Sequence, residues 1–128
     1  MSVAKEGAFW LGFDVGSVAL KIVVTDRSGK VLDRLYRRTH GRPLETARSV
    51  LEYVLARRSV EQFDLVAGTG SAGRLICELL GVPFVNEVIC QATAIRHLRG
   101  DVRTLVEMGG QDSKLILLPD GPADGAMV

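Results

Sequence analysis

Short apolar runs that are typical of strands, and apolar residues at helical spacing, follow one another along this chain. Continuous or alternating apolar positions over residues 8–13, 20–25 and 31–38 predict three β-strands. The connections between these strands are too short for crossovers, so we expect an antiparallel meander. Similar runs predict further strands over residues 63–68, 103–108 and 113–118.

Three helices are predicted from apolar residues that recur every three or four positions. The first begins at Pro43 and continues to about Arg58. The second follows a glycine-rich turn at residues 68–73 and stops before Gly81 and Pro83, and the third covers residues 86–98. The order β-β-β-α-β-α-α-β-β predicts an α/β fold in which helices pack on a mixed sheet.

Composition excludes several classes of protein. The chain has 128 residues, 47% of them hydrophobic, which fits one domain with a substantial core. Basic residues number 16 and acidic residues 15, so no general charge favours nucleic acid or an anionic membrane as partner. Some basic residues do cluster, in Arg34, Arg37, Arg38, His40 and Arg42. This cluster is either a solvated surface or a docking surface for an acidic partner.

The chain shows no sign of export or of membrane insertion. Asp14 interrupts the apolar stretch near the N-terminus, so no signal peptide is expected, and no run is long enough to span a bilayer. The two cysteines, Cys77 and Cys90, have no further cysteine or histidine at metal-ligand spacing. We therefore expect a reducing, cytoplasmic location.

Two hairpins of one chemical design lie far apart, at residues 11–26 and 104–118. In each, an apolar strand reaches a carboxylate, Asp14 or Glu107, before a glycine turn, a lysine and a second apolar strand. Glycine lets backbone N–H groups approach an anion closely. A carboxylate beside such a turn becomes useful when Mg²⁺ lies between it and a phosphate. The pair predicts a polyphosphate site, whereas either turn alone is also common tight-turn chemistry.

A third glycine-rich segment has two interpretations. Gly68, Gly70 and Gly73 have the spacing of a Rossmann dinucleotide fingerprint. That fingerprint usually opens a βαβ unit, whereas here three strands and a helix come first, so the Rossmann alternative is the weaker one. Asn86 and Glu87, with Gln91, suit the start of a helix, although a role facing a nucleotide or partner is the alternative.

Four segments together carry a resemblance to a known family: LGFDVGSVALKIVV, GTGSAGRLI, NEVICQATA and TLVEMGGQDSKLILL. The chain resembles the N-terminal part of the activator ATPases of 2-hydroxyacyl-CoA dehydratases, which belong with the ATPase subunits of benzoyl-CoA reductase. Their superfamily includes sugar kinases, actin and heat-shock chaperone ATPases. The resemblance implies a ribonuclease H-like fold with ATP bound between two subdomains.

The resemblance also implies roles for residues. The first phosphate loop matches Asp14, Gly16 and Ser17, with Lys21 beside it, and the second matches Glu107, Gly109, Gly110, Gln111 and Asp112. Asp14 and Glu107 are the implied Mg²⁺ residues, acting through water. In the family, ATP hydrolysis by a homodimer drives electron transfer from a bridging [4Fe–4S] cluster to a CoA-thioester dehydratase or reductase.

Two departures from the family limit what this chain is expected to do. Glu107 stands where the superfamily often has Asp, and neither Cys77 nor Cys90 matches a cluster-ligand motif, so no iron–sulfur ligand is expected in this chain. We expect residues 1–128 to form one N-terminal subdomain, with residues 104–128 leading toward a second. No catalytic residue is identified. A sugar-kinase-like phosphotransferase and a non-catalytic interaction module are the alternatives.

Overall fold

The structure is a computed structural model that describes residues 9–119. The chain divides into two compact units, with the boundary along the sequence between Val85 and Asn86, and each unit is described by itself.

The first unit is built on a four-stranded mixed sheet. Its strands are β1 (Phe9–Val15), β2 (Ala19–Asp26), β3 (Val31–Arg38) and β4 (Phe63–Thr69), in the spatial order β3-β2-β1-β4. β2 is antiparallel to both β1 and β3, which confirms the predicted meander, and β4 is parallel to β1. Because β4 returns beside β1 through α1 (Pro43–Leu55), the carboxyl ends of β1 and β4 meet at one edge.

Two helices accompany this sheet. The inner face of α1 buries Ala47, Val50 and Val54 in the core formed mainly by β1 and β2. A short 3₁₀ turn (Val60–Gln62) precedes β4, and α2 (Gly73–Leu80) follows it and ends at Gly81, whose φ of 67° is left-handed. The core residues of this unit are Leu11, Phe13, Val15, Leu20, Ile22, Val24, Ala47, Val50, Val54, Ile76 and Cys77.

The structure corrects two predicted boundaries by two or three residues, and several others by one. β1 continues two residues beyond the predicted end, to Val15, while its predicted first residue lies outside the described part of the chain. α1 ends at Leu55 rather than at Arg58. Beyond this end, the Arg58 amide still donates to the Val54 carbonyl at 3.0 Å. The Arg58 guanidinium forms an ion pair with Asp33 on β3 at 3.2 Å, a contact that helical periodicity does not predict.

The second unit contains α3 (Glu87–Leu98) and a two-stranded antiparallel sheet of β5 (Thr104–Met108) and β6 (Ser113–Leu117). Ile116 and Leu118 pack with Ala92 of α3 in a small core. Asn86 caps α3, as predicted, because its side chain accepts a hydrogen bond from the Val88 amide at 2.8 Å. The opposite face of the hairpin is exposed and apolar, with Val106, Met108, Leu115 and Leu117.

The fold class predicted from the sequence is confirmed, because a mixed sheet with an antiparallel meander carries helices. The Rossmann alternative does not fit, since the glycine-rich segment follows the fourth strand of this sheet. Among the described helices, none has the length and apolar character needed to cross a bilayer.

Candidate functional site

The first glycine turn connects β1 to β2 through residues 16–19. The Gly16 amide donates to the Ala19 carbonyl at 2.9 Å and closes the turn. One pair into the ladder, Asp14 lies opposite Lys21, and the Lys21 ammonium donates to Asp14 Oδ2 at 3.0 Å. The carboxylate and the lysine therefore lie on the same face of the sheet.

The second turn, residues 109–112, has the same geometry. The Gly109 amide donates to the Asp112 carbonyl at 2.8 Å. Glu107 lies opposite Lys114 one pair into the ladder, and the lysine donates to Glu107 Oε2 at 3.3 Å. In both hairpins the carboxylate and the lysine are seven residues apart in sequence. The shared design inferred from the sequence is thus a shared three-dimensional arrangement.

Both turns present backbone donors. In the first turn, the two central residues are Ser17 and Val18, and within residues 9–119 their amides have no protein acceptor. The carbonyls of these two residues accept hydrogen bonds from Thr39, which is buried at the end of β3. Thr39 therefore holds the carbonyl groups of the turn, while the N–H groups of Ser17 and Val18 remain available to an anion.

The central amides of the second turn, Gly110 and Gln111, likewise have no acceptor in the described part of the chain, and both residues are exposed. A side chain at Gly109 would lie 3.1 Å from Glu107 Oε1, so glycine there leaves room for the carboxylate. The second turn can therefore present two adjacent amides beside a carboxylate, as the first does.

Asp14 meets a third loop that sequence analysis did not connect with it. Gly70, at the end of β4, has a φ of 98°, and a Cβ there would lie 2.5 Å from Asp14 Oδ1 and 2.4 Å from the Val15 carbonyl oxygen. The Ala72 amide donates to that same carbonyl at 2.9 Å. The loop after β4 is therefore held directly against the Asp14 carboxylate.

Two buried polar atoms in this region lack a partner. Asp14 Oδ1 and Thr69 Oγ1 are both inaccessible and accept or donate no hydrogen bond in the structure. Asp14 and Thr69 are register partners on the parallel strands β1 and β4, so their side chains lie on one face of the sheet. Buried polar atoms are nearly always satisfied, so these two are exceptions, and both lie where β1 and β4 end.

The second hairpin has a different charge environment. Lys114 lies 3.0 Å from Asp112, 3.3 Å from Glu107 and 3.6 Å from Glu87 of α3. Its hydrogen bond to Asp112 is the largest cause that raises the pKa of Lys114 above its usual range, and the bond to Glu107 adds to it. Three carboxylates around one ammonium leave an excess of negative charge. Such a site favours a phosphate only when a cation accompanies it.

The residues present fit a bound Mg²⁺ with few protein ligands. In residues 9–119, no three His, Cys, Asp or Glu side chains converge as a metal site. Mg²⁺ in nucleotide sites is usually held by one or two carboxylates, with phosphate oxygens and water completing its shell. Asp14, whose side chain is 31% exposed and whose Oδ2 accepts from Lys21, supplies such a carboxylate.

The cysteines lie apart from both turns in sequence and belong to different units. Cys77 is buried on α2, and its thiol donates to the Pro83 carbonyl at 3.4 Å. Burial is the largest cause that raises the pKa of Cys77. Cys90 is half-buried on α3. The prediction that neither is an iron–sulfur ligand stays a prediction.

Four of the five residues of the predicted basic cluster line a concave surface between β3 and α1, and Arg34 is not among them. The cavity has a volume of about 640 Å³ and is lined by Arg37, Arg38, His40 and Arg42, with one acidic residue, Glu45. Glu45 pairs with Arg42 at 3.4 Å, so positive charge predominates. Both interpretations of this cluster, a solvated surface and a docking surface for an acidic partner, stay predictions.

Comparisons with known proteins were made on sequence and on structure. No model of a protein family matches the sequence. The (R)-2-hydroxyglutaryl-CoA dehydratase activating ATPase of Acidaminococcus fermentans is 27% identical over 117 residues, which cover 88% of this chain and 44% of that protein. The chain thus spans less than half the length of this curated relative.

Two solved structures of dehydratase components and activators superimpose on most of this chain. The crystal structure of component A of the (R)-2-hydroxyglutaryl-CoA dehydratase of A. fermentans superimposes with a TM-score of 0.77 at 25% identity, over 88% of this chain and 44% of that one. The activator of the 2-hydroxyisocaproyl-CoA dehydratase of Clostridium difficile, solved with bound ADPNP, gives 0.72 at 24% identity, over 87% and 41%. The latter likeness shows the fold.

The resemblance inferred from the sequence motifs is confirmed: over 88% of its length, this chain is similar to the activating ATPases of 2-hydroxyacyl-CoA dehydratases.

Proposed function

We propose that this chain binds the phosphates of ATP and forms part of an ATPase that activates a 2-hydroxyacyl-CoA dehydratase. The observation that carries the proposal is the matching pair of hairpins. Each places a carboxylate opposite a lysine, and each closes a glycine turn with the same hydrogen bond. The ATPase and activator roles in this proposal are taken from the names of the relatives, one of which was solved with bound ADPNP.

In the first hairpin, we assign phosphate binding to the turn and cation binding to the strand. The amides of Ser17 and Val18 would donate to phosphate oxygens, and Gly16 closes the turn that presents them. Asp14 would hold Mg²⁺ through water. Lys21, whose side chain is half-exposed, would then move from Asp14 to a phosphate oxygen, because a cation would replace it beside the carboxylate.

In the second hairpin, the assignment is parallel. Gly109 closes the turn, and Gly110 and Gln111 would donate their amides to phosphate. Glu107 would contact Mg²⁺ through water, and Asp112 would accompany it at the end of the turn. Bound Mg²⁺ would supply charge neutralisation of the phosphates, and phosphoryl transfer depends mainly on such stabilisation and on positioning.

The wider activity follows the relatives. We propose that the parent protein is a cytoplasmic homodimer that hydrolyses ATP to drive electron transfer from a [4Fe–4S] cluster, whose ligands lie outside this chain, to a CoA-thioester dehydratase or reductase. In this proposal residues 1–128 are an N-terminal ribonuclease H-like subdomain, and residues 104–128 lead toward a second. Neither nucleic acid nor a membrane is a proposed partner.

A titration with nucleotide tests the phosphate site. We expect the chain to bind MgATP weakly by calorimetry or by NMR shifts, because it spans 44% of its relative and a ligand site normally encloses most of its ligand. Asp14→Asn should remove the Mg²⁺ dependence of binding. The matched control is Asp64→Asn on β4, which removes a carboxylate paired with Arg27 at 2.7 Å and should leave binding unchanged.

The two variants make the outcome decisive. Wild-type chain that shows no response to millimolar MgATP would overturn the proposal, as would equal binding by the Asp14→Asn variant. A phosphorylated sugar formed from ATP would instead support the sugar-kinase alternative.

A further inference from the structure

We propose that the concave basic surface between β3 and α1 binds an extended, acidic segment of a partner protein. Four basic side chains line this surface, those of Arg37, Arg38, His40 and Arg42. The surface belongs to the first unit and shares no residue with either glycine turn. Its ligand is therefore distinct from the nucleotide proposed above, and the two can be tested separately.

The cations of this surface lack partners, unlike most arginines of the chain. Within residues 9–119, the side chains of Arg37, Arg38 and His40 form no ion pair, hydrogen bond or ring contact. Other arginines pair with carboxylates, donate to carbonyls or lie over aromatic rings, as do Arg27, Arg48, Arg57, Arg58, Arg74, Arg99 and Arg103. Unpaired cations that line one concave surface favour an anion that contacts several of them together.

The carboxylate of Glu45 does not neutralise this surface. Glu45 lies 3.4 Å from Arg42, and both side chains are 73% exposed. An exposed pair of this kind contributes little free energy, so Arg42 can exchange it for another carboxylate. Three arginines against one glutamate leave the lining positively charged even when the histidine is neutral.

The turn that carries these cations is ordered before any partner binds. Thr39 is buried, its amide donates to the Val18 carbonyl at 2.9 Å, and its carbonyl accepts from the Arg42 amide at 2.8 Å. Between these bonds, His40 and Gly41 have left-handed φ values of 48° and 74°. Glycine adopts such angles freely, whereas histidine does so at a cost in free energy. Because the turn is already fixed, binding loses less conformational entropy there.

The extent of the surface favours a polypeptide over a small anion. The lining continues along α1 from Arg42 through Thr46 and Ser49 to Val50. Along a helix this stretch rises about 12 Å, the length of about four extended residues. β3 lies at the edge of the four-stranded sheet, so its outer backbone groups can pair with an extended segment. Guanidinium groups bind carboxylates through two parallel hydrogen bonds, which makes aspartate and glutamate the expected side chains.

Basic residues on an edge strand also have a structural explanation. Charge on such a strand keeps it from pairing with other chains. That explanation requires only exposed charge on β3, which Arg34 supplies equally well outside the concave surface. It does not explain why Arg42, at the start of α1, and the left-handed His40 line the same surface as the strand arginines.

The experiment measures fluorescence anisotropy of a labelled peptide that alternates glutamate and serine, at low ionic strength and without nucleotide. Replacing both surface arginines, Arg37→Gln with Arg38→Gln, should weaken binding about tenfold or more, because charge-assisted hydrogen bonds are lost. The control, Arg34→Gln with Arg48→Gln, removes the same charge from exposed positions outside the surface and should weaken binding less than about twofold. Arg37→Lys with Arg38→Lys retains the charge but not the two-bond geometry, so its loss should be intermediate.

Circular dichroism checks that each variant is folded. If the double glutamine variant of the surface does not fold, Arg38→Gln with His40→Asn replaces it, since asparagine tolerates a left-handed φ.

Competition identifies the kind of anion. Equal losses in the surface and control variants would overturn the proposal, because net charge alone would then attract the peptide. Absence of peptide binding by the wild type would also overturn it and would leave the edge-strand explanation. Tighter binding of pyrophosphate or of a single-stranded oligonucleotide than of the peptide would show that the surface recognises phosphate and not a polypeptide. Each of these outcomes leaves the nucleotide proposal untouched.

Discussion

At the scale of single residues, the site around Asp14 is built at a cost to the unliganded fold. Asp14 Oδ1 and Thr69 Oγ1 are buried without partners, and Gly70 adopts a φ that other residues rarely adopt. The two unpartnered atoms cost free energy in the absence of a partner, whereas glycine adopts a positive φ without strain. Such local costs are typical of binding sites, where the ligand later supplies the missing contacts.

Gly70 provides a direct test of this arrangement. Gly70→Ala should lower the free energy of unfolding by about 2–4 kcal/mol and should abolish MgATP binding, because the new Cβ would displace Asp14. Gly81 is the matched control, since its φ is also positive at 67° but its Cβ would meet no atom within 4 Å. Gly81→Ala should cost about 1 kcal/mol and leave binding intact.

Urea denaturation and calorimetry on the two variants give the answer. Equal destabilisation by both substitutions would mean that backbone strain alone, and not proximity to the carboxylate, determines the need for glycine at position 70.

The sequence predicted Asp14 and Gly16 as site residues but not Thr69 or Gly70. The first pair belongs to one hairpin, whose strands and turn are contiguous in sequence. Thr69 joins the site only through the parallel pairing of β4 with β1, across more than fifty positions that include α1. Gly68 and Gly70 could suggest close packing, but nothing in their spacing indicates which strand they approach.

At the scale of secondary-structure elements, the described strand ends of both hairpins were predicted to within two residues. Glycine turns between apolar runs determine where each strand ends, and a side-chain period of two then determines the face of each residue. α1 was predicted three residues too long, although the Arg58 amide still donates to the Val54 carbonyl at 3.0 Å. Local patterns thus predicted the hairpins well and the helix end poorly.

The charges of the second hairpin give a prediction at this scale. Lys114→Met should destabilise the second unit, because Asp112, Glu107 and Glu87 would repel each other without the ammonium. Added salt should restore part of the lost stability by screening this repulsion.

Lys21→Met is the control, since Lys21 has one carboxylate partner and a half-exposed side chain. Its effect should be about 0.2–1 kcal/mol. Urea denaturation followed at low and at high salt compares the two variants. A Lys114→Met variant whose stability falls further as salt is added would contradict this account of the cluster.

At the scale of the whole molecule, the two units differ in how much core they have. Among residues 9–119, eleven buried residues form the core between the four-stranded sheet and the helices of the first unit, whereas three form the core of the second. The sequence predicted the α/β class, because the order of strands and helices follows from local periodicity. The division at Val85 was not predicted, since it depends on contacts made after the chain folds.

Hydrogen exchange should reveal this difference. Amides of β1 and β2 lie between neighbouring strands on both sides, and we expect them to exchange the slowest. Amides of β5 and β6 belong to a two-stranded sheet over a small core and should exchange much faster. Exchange measured by NMR checks this expectation, and equal protection in both sheets would mean that the two units open together.

The seven-residue separation between carboxylate and lysine constrains how these two turns can evolve. Surface loops usually tolerate added or deleted residues. Here one extra residue within positions 16–19 or 109–112 would shift the strand register by one, and lysine and carboxylate would then lie on opposite faces. Changes in length among descendants of this sequence should therefore accumulate elsewhere, such as at residues 27–30, and a systematic insertion scan would show that difference directly.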